Sequence, residues 1–349
     1  MKIFRGFHRP GLASACALTI GNFDGVHRGH QAMLALLNNE ASLRGVPSCV
    51  LTFEPHPRDY FAQVHKRPAL APARIGTLRD KLAELERCGV QQVVVQPFNA
   101  AFAGLSAQAF IDDVVLRGLG ARYVLVGDDF RFGAQRAGGY ALLDAAGQAQ
   151  GFDVARMNSY EVHGLRVSST AVRDALERGD MQAAARLLGR PYSISGHVVH
   201  GRKLGRQLAE SRPGAGDGFR TLNLRFAHWK SAASGIFAVL VHGLADAPLR
   251  GVANLGVRPS LDPQDVNGGR VLLETHCLDW PAHLGAQGGY GKIIRVELLH
   301  KLHDELKYDS LAALTQGIAQ DCEDARAWFA TFHAPSYTDT RRQTTRDRI

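Results

Sequence analysis

Residues Ala17 to His30 constrain the fold more than any other stretch. The apolar run Ala17-Leu18-Thr19-Ile20 meets the turn Gly21-Asn22-Phe23-Asp24-Gly25, and Val26-His27-Arg28-Gly29-His30 then leads into the apolar-periodic Met33 to Leu37. This reads as a strand, a tight turn and the first turn of a helix, whose unpaired N–H groups suit a phosphate. His27 and His30 stand three residues apart, so on a helical turn they share a face. Two imidazoles beside an anion can neutralise charge that builds up on phosphorus during transfer. Gly21, Gly25 and Gly29 permit close backbone approach at such a turn. An H-x-x-H pair by itself also suits a surface position or a metal, but the His-Glu-x-x-His of a zinc protease is absent.

The chain then repeats the alternation. Pro47 to Phe53 is a short β-rich run ending in Glu54-Pro55-His56-Pro57. Two prolines fix an extended loop at the strand edge where open parallel sheets bind ligands. A stiff loop with a solvated His56 is the equal alternative. Thr77 to Cys88 is an amphipathic helix with Leu78, Leu82 and Leu85 on one side, stopped by Gly89. Val90 to Phe98 reads as a strand, Ala107 to Leu119 as a helix and Tyr123 to Val126 as a strand, which predicts a parallel α/β sheet. Gly127 to Gly139 follows, with Asp129, Phe130, Arg131, Phe132 and Arg136. These are core aromatics and surface charge, or contacts to an aromatic base or phosphate. Ser168, Ser169 and Thr170 precede another apolar-periodic run. They offer N-cap chemistry or, with Arg173 one turn in, a second phosphate site.

A length of 349 residues suggests two or three domains. The net charge of +8 and pI near 9.4 point to anionic ligands, nucleotides and nucleic acid alike. Outside the tail the basic residues form no dense run and no aromatic-interleaved platform, so nucleic acid is not the expected partner. Five scattered cysteines fit neither zinc spacing nor a disulfide framework and suit a reducing cytoplasm. With no visible signal peptide or membrane-length apolar run, a soluble chain without a membrane partner is expected.

Four motifs now stand in order: Gly21 to His30, Phe53-Glu54-Pro55-His56-Pro57, Gly127-Asp128-Asp129-Phe130-Arg131-Phe132-Gly133, and Ser168-Ser169-Thr170-Ala171-Val172-Arg173. Together the set resembles the bacterial bifunctional riboflavin kinase/FAD synthetase family, over roughly residues 10 to 332. The resemblance implies a Rossmann-like nucleotidylyltransferase domain over residues 1–185, in which FMN phosphate attacks the α-phosphorus of ATP to give FAD and pyrophosphate. It implies catalytic contacts to the nucleotide phosphates from His27 and His30, and a phosphate loop of Gly21, Asn22, Phe23, Asp24 and Gly29. It further implies a second phosphate loop of Ser169, Thr170 and Arg173, with His56, Asp129 and Arg131 on the flavin side.

Past Arg186 the composition turns to short β segments: Tyr192 to Gly201, Thr221 to Phe226, Gly235 to Val241, Val271 to Leu278 and Lys292 to Leu299. A second domain is therefore expected over residues 186–335, ending in an amphipathic helix from Ser310 to Phe329. Gly196 to Lys203 lacks the Gly-Lys-Ser/Thr ending of a P-loop. The resemblance instead implies a six-stranded antiparallel kinase barrel with ATP on the backbone of Gly201 and Gly205 and on Thr221 and Asn223. Thr221 and Asn223 would also hold Mg2+, and Glu274 would take the proton of the ribityl hydroxyl of riboflavin. Without the resemblance, Glu274 reads as a solvent-facing strand residue. The chain departs from the family pattern at Arg220, where proline is usual, in the inserted Ala209 to Asp217, and at His303, where arginine is usual. Asn254 and Arg258-Pro259 match a family loop without readable chemistry. Residues 336–349 are expected to be disordered. The expected function is riboflavin to FMN to FAD; the alternative keeps only the adenylyltransferase, with an impaired kinase. Self-association stays open.

Overall fold

In the first central strand, β2 (Cys16–Ile20), Cys16, Leu18 and Ile20 face one side and Ala17 the other, because strand side chains alternate. Both faces are covered, so the strand is apolar and buried throughout. β1 (Lys2–Arg5), β3 (Ser48–Glu54), β4 (Gln92–Pro97), β5 (Ala121–Gly127) and β6 (Asp153–Met157) complete a parallel sheet in the order β1-β4-β3-β2-β5-β6. The computed structural model describes residues 1–158, 160–162, 165–200, 221–226, 230–257, 271–285 and 287–332. The expected Gly201, Gly205, Arg220, Ala209 to Asp217, Arg258-Pro259 and residues 336–349 lie outside them.

Helices α1 (Arg28–Leu43) and α3 (Leu78–Arg87) pack against the face that carries Ala17, Val50 and Val93. Thr77 and Asp80 form a capping box that starts α3. α2 (Pro57–Val64) follows β3. α4 (Ala100–Ala103) and α5 (Ala107–Ala109) lead into a π-helical stretch, Phe110–Gly118, where one ordinary helix was expected. The wider turn sets Phe110, Ile111, Val114 and Val115 all into the core. That stretch and α6 (Tyr140–Gln150) cover the opposite face of the sheet, the one that carries Cys16, Leu18 and Ile20. Strand order reverses at β2, with β3 on one side and β5 on the other, so loops after these strands open a crevice at their C-terminal edge.

A short hairpin, β7 (Glu161–Val162) and β8 (Leu165–Arg166), precedes α7 (Ser169–Glu177) and α8 (Met181–Leu188). β9 (Tyr192–Val199), β10 (Thr221–Arg225), β11 (Gly235–His242), β12 (Leu249–Val257), β13 (Val271–Cys277) and β14 (Ile293–His303) close an antiparallel barrel in the order β10-β13-β12-β11-β14-β9. The sequence reading lacks β12, because Arg250, Gly251, Asn254 and Gly256 blur its alternation. Asn254 accordingly lies in a strand and not in a loop. Leu222, Leu224, Ala253, Leu255 and Leu273 fill the barrel, and the C-terminal helix α9 (Leu311–Thr331) covers its outside at Ile236, Ala238 and Val252.

The barrel core runs on into α7 and α8 through Val172, Leu176, Met181, Ala184 and Leu188. Backbone hydrogen bonds add to this joint: Arg74 N–H to Lys230 O, Ala232 N–H to Arg74 O. Asp80 accepts from the Ser195 N–H at 3.0 Å. Residue 186 falls inside α8.

Candidate active sites

His27 is the N-cap of α1, with extended backbone, and its Nδ1 accepts the His30 N–H at 3.3 Å. A neutral His27 therefore carries its proton on Nε2. The His27 and His30 rings stack with centroids 3.7 Å apart and planes at 14°, and Phe23 packs on His30 at 4.9 Å. Burial pushes the His27 pKa down to about 4 against the pull of Asp24. Burial, then His27 and Lys81, hold His30 well below its ordinary value. Both rings are thus neutral at physiological pH. A neutral imidazole offers an anion an N–H donor and no net charge. His30 Nδ1 and Asn22 Oδ1 are buried without a hydrogen-bond partner among the described residues.

Asp24 gathers the neighbouring cations. Its carboxylate lies 2.6 Å from Arg173 Nη2 and 3.8 Å from Arg74 Nε, and accepts the Ile75 N–H at 3.3 Å. Ser169 Oγ donates to the Asp24 carbonyl at 3.2 Å, with Thr170 exposed beside it. Residues far apart in the chain, Asp24, Ser169 and Arg173, thereby meet next to the histidines. Arg74 also faces Glu54 at 3.6 Å and Asp59 at 3.0 Å; burial opposes its charge, but the carboxylates hold its pKa above the usual value. Lys81 Nζ donates to Thr52 Oγ1 at 3.2 Å, and burial, then Arg74, bring its pKa down to about 8. Sequence reasoning missed both cations. Lys81 had a signal: it sits between Leu78 and Leu85 on the apolar side of α3. Arg74 belongs to no periodic segment and had none.

His56 caps α2, its Nδ1 accepting the Arg58 N–H at 3.1 Å. It is buried, not solvated, and burial, then Arg74, push its pKa down to about 3. Asp129 and Arg131 are exposed beyond β5, across β2 from His56. Phe132 is core.

In the barrel, Glu274 pairs in register with Asn223 on one side and Asn254 on the other. Paired residues face the same way, here opposite to the barrel-filling Leu222, Ala253 and Leu273. Asn223 Oδ1 and Asn254 Oδ1 are both buried without a hydrogen-bond partner among the described residues. Asn223 Nδ2 reaches the Thr221 carbonyl at 3.3 Å and its hydroxyl at 3.5 Å. Glu274 is thus half-buried between two amides. His303 bonds Asp304 O at 2.7 Å and, on α9, Asp321 Oδ1 at 2.8 Å, which ties the C-terminal helix to the barrel.

Residues 10–171 match the FAD synthetase family model and residues 188–329 the riboflavin kinase model. The bifunctional riboflavin kinase/FMN adenylyltransferase of Escherichia coli K12 is 44% identical over 331 residues, 94% of this chain and 98% of that protein. The Haemophilus influenzae protein of the same description is 40% identical over 330 residues, 94% of this chain and 99% of its own. A solved structure described as a macrolide-efflux protein from Streptococcus pneumoniae is 25% identical, with a TM-score of 0.66 over 94% of this chain and 98% of its own. Among the described residues no helix is long and apolar enough to cross a membrane. The presence of both matched segments favours two activities over an adenylyltransferase with an impaired kinase. The chain belongs to the bifunctional riboflavin kinase/FMN adenylyltransferase family, which uses ATP to make FMN from riboflavin and FAD from FMN.

Proposed function

We propose that the two reactions divide between residues 1–185 and 186–335, each run by the side chains gathered above. In the first, ATP phosphates lie against His27 and His30, the N-terminus of α1 and the backbone of Gly21 to Gly29, with Asn22, Phe23 and Asp24 shaping that loop. Ser169, Thr170 and Arg173 hold the nucleotide from α7, and His56, Asp129 and Arg131 stand on the flavin side. An FMN phosphate oxygen bonds to the α-phosphorus, the α–β bridge bond breaks, and pyrophosphate leaves. The reading is carried by two stacked, neutral imidazoles at a helix N-terminus with a buried cation cluster behind them. Such donors stabilise charge that develops on phosphorus without a covalent intermediate.

In the second reaction Glu274 takes the ribityl hydroxyl proton as that oxygen bonds to the γ-phosphorus and ADP leaves. Asn223 and Asn254 orient the carboxylate from both sides, and Gly201 and Gly205 contribute to the nucleotide site. Mg2+ fits here: the unpartnered Asn223 Oδ1 beside the Thr221 hydroxyl offers the hard neutral oxygens that this ion takes alongside phosphates. When bound, it would neutralise phosphate charge. A cytoplasmic setting suits the five free cysteines. Exposed Leu36 and Leu43 on α1 leave room for self-association.

The test is a crossed assay on the full chain. His30→Ala is expected to lower FMN adenylylation and spare riboflavin phosphorylation, and Glu274→Ala the reverse, each by about a hundredfold. Equal losses of both activities in either variant overturn the assignment.

A further inference from the structure

Leu188, Gly189 and Arg190 lead out of α8 toward β9, far along the chain from the loop after β2. Their polar atoms nevertheless meet that loop. The Val26 carbonyl accepts from Gln31 Nε2 at 2.9 Å and from Arg190 Nη1 at 3.3 Å. The Leu188 carbonyl accepts from the same two side chains, at 2.8 Å and 3.1 Å. Two carbonyls and two side chains thus close a ring of hydrogen bonds. Arg190 Nη2 adds a bond to the Gly25 carbonyl at 2.8 Å, and its Nε faces Glu84 of α3 at 3.2 Å.

The loop needs such a hold. Phe23, Gly25 and Val26 have φ values of 49°, 78° and 40°. A β-branched residue at positive φ is a genuine outlier, and it persists only where its surroundings over-determine it. Val26 is fully buried, and the residue after it is His27.

We propose that Arg190 is a positioning residue for FMN adenylylation. With Gln31 it fixes the peptide planes at Gly25 and Val26, so that the His27 ring comes to lie on His30. The inference rests on the reading of His27 and His30 as the nucleotide-phosphate pair. Its consequence is a division of labour that the family models do not draw. The FAD synthetase match ends at residue 171, and Arg190 lies within the riboflavin kinase match. The kinase half of the chain therefore completes the phosphate loop of the other half.

The experiment measures both activities on each preparation of the full chain, for Arg190→Met, Arg190→Lys, Gln31→Leu, the Arg190→Met/Gln31→Leu double variant and His27→Ala. Arg190→Met is expected to lower kcat/KM of adenylylation about tenfold or more, while riboflavin phosphorylation stays within about twofold. Arg190→Lys recovers part of the loss, because an ammonium can still bond one of the carbonyls. The double variant loses less than the product of the single losses, because both side chains act on the same carbonyls. Unchanged adenylylation in Arg190→Met, with loss in His27→Ala, overturns the inference and leaves the histidine reading standing. Retained adenylylation in His27→Ala overturns both. Equal loss of both activities in Arg190→Met and Arg190→Lys marks a merely structural arginine and overturns the inference too.

Discussion

Gly29 lies so close to His27 that a Cβ there would stand 3.2 Å from Nδ1 and 3.3 Å from Cε1 of the imidazole. The Val167 carbonyl would stand 3.4 Å from that Cβ, so the imidazole would have to give by a few tenths of an ångström in its stack with His30. Gly29→Ala is therefore expected to lower FMN adenylylation about tenfold, with riboflavin phosphorylation unchanged. Steady-state assays of both activities on one preparation check it.

Asp24 is the shared partner of two arginines. Breaking a buried ion pair costs about 3–5 kcal/mol, because the remaining charge loses its compensation. Asp24→Ala is expected to destabilise the parallel-sheet half by that amount, because it removes the carboxylate that Arg173 and Arg74 share and leaves Arg74 with Glu54 and Asp59 alone. Urea unfolding followed by a probe in that half measures it; a loss of under about 1 kcal/mol would show the cluster to be well solvated.

His27 and His56 have pKa values pushed to about 4 and about 3, against an ordinary 6.5. Between those values the unfolded chain binds protons that the folded chain does not, so stability rises with pH through this window and falls on acidification. His56→Asn keeps an N-cap acceptor for α2 and removes one of these groups. Melting temperatures compared at neutral pH and about pH 5 should fall less in the variant than in the parent.

His303 titrates with the opposite sign. Burial opposes its charge, but the Asp321 carboxylate raises its pKa above 6.5. The stability it contributes is complete below that ordinary value and is lost as pH rises through the folded one. His303→Gln should therefore lower the melting temperature clearly at about pH 6 and little at about pH 9. Equal effects at both would remove the charged pair from the account of how α9 is held.

Asn254 faces Glu274 across the β12–β13 ladder. Asn254→Ala is expected to lower kcat of riboflavin phosphorylation about tenfold and to leave FMN adenylylation unchanged. Asn254→Gln, which keeps the amide but shifts it by one methylene, should fall between.

The sequence by itself determined what depends on near neighbours. Apolar runs marked β2 to β5, Leu78, Leu82 and Leu85 marked the packed side of α3 with Gly89 as its stop, and the three-residue spacing of His27 and His30 set their shared face. Periodicity and capping are written in residues that touch along the chain. The order of motifs was enough to point to the family. Tertiary structure decided which distant segments meet. It brought Arg74 and Arg190 to the loop after β2 and Lys81 to Thr52 of β3, set Asn254 beside Glu274 through register, and buried His56. It also left both imidazoles neutral, because burial and neighbouring cations, which no local pattern records, set their proton affinity.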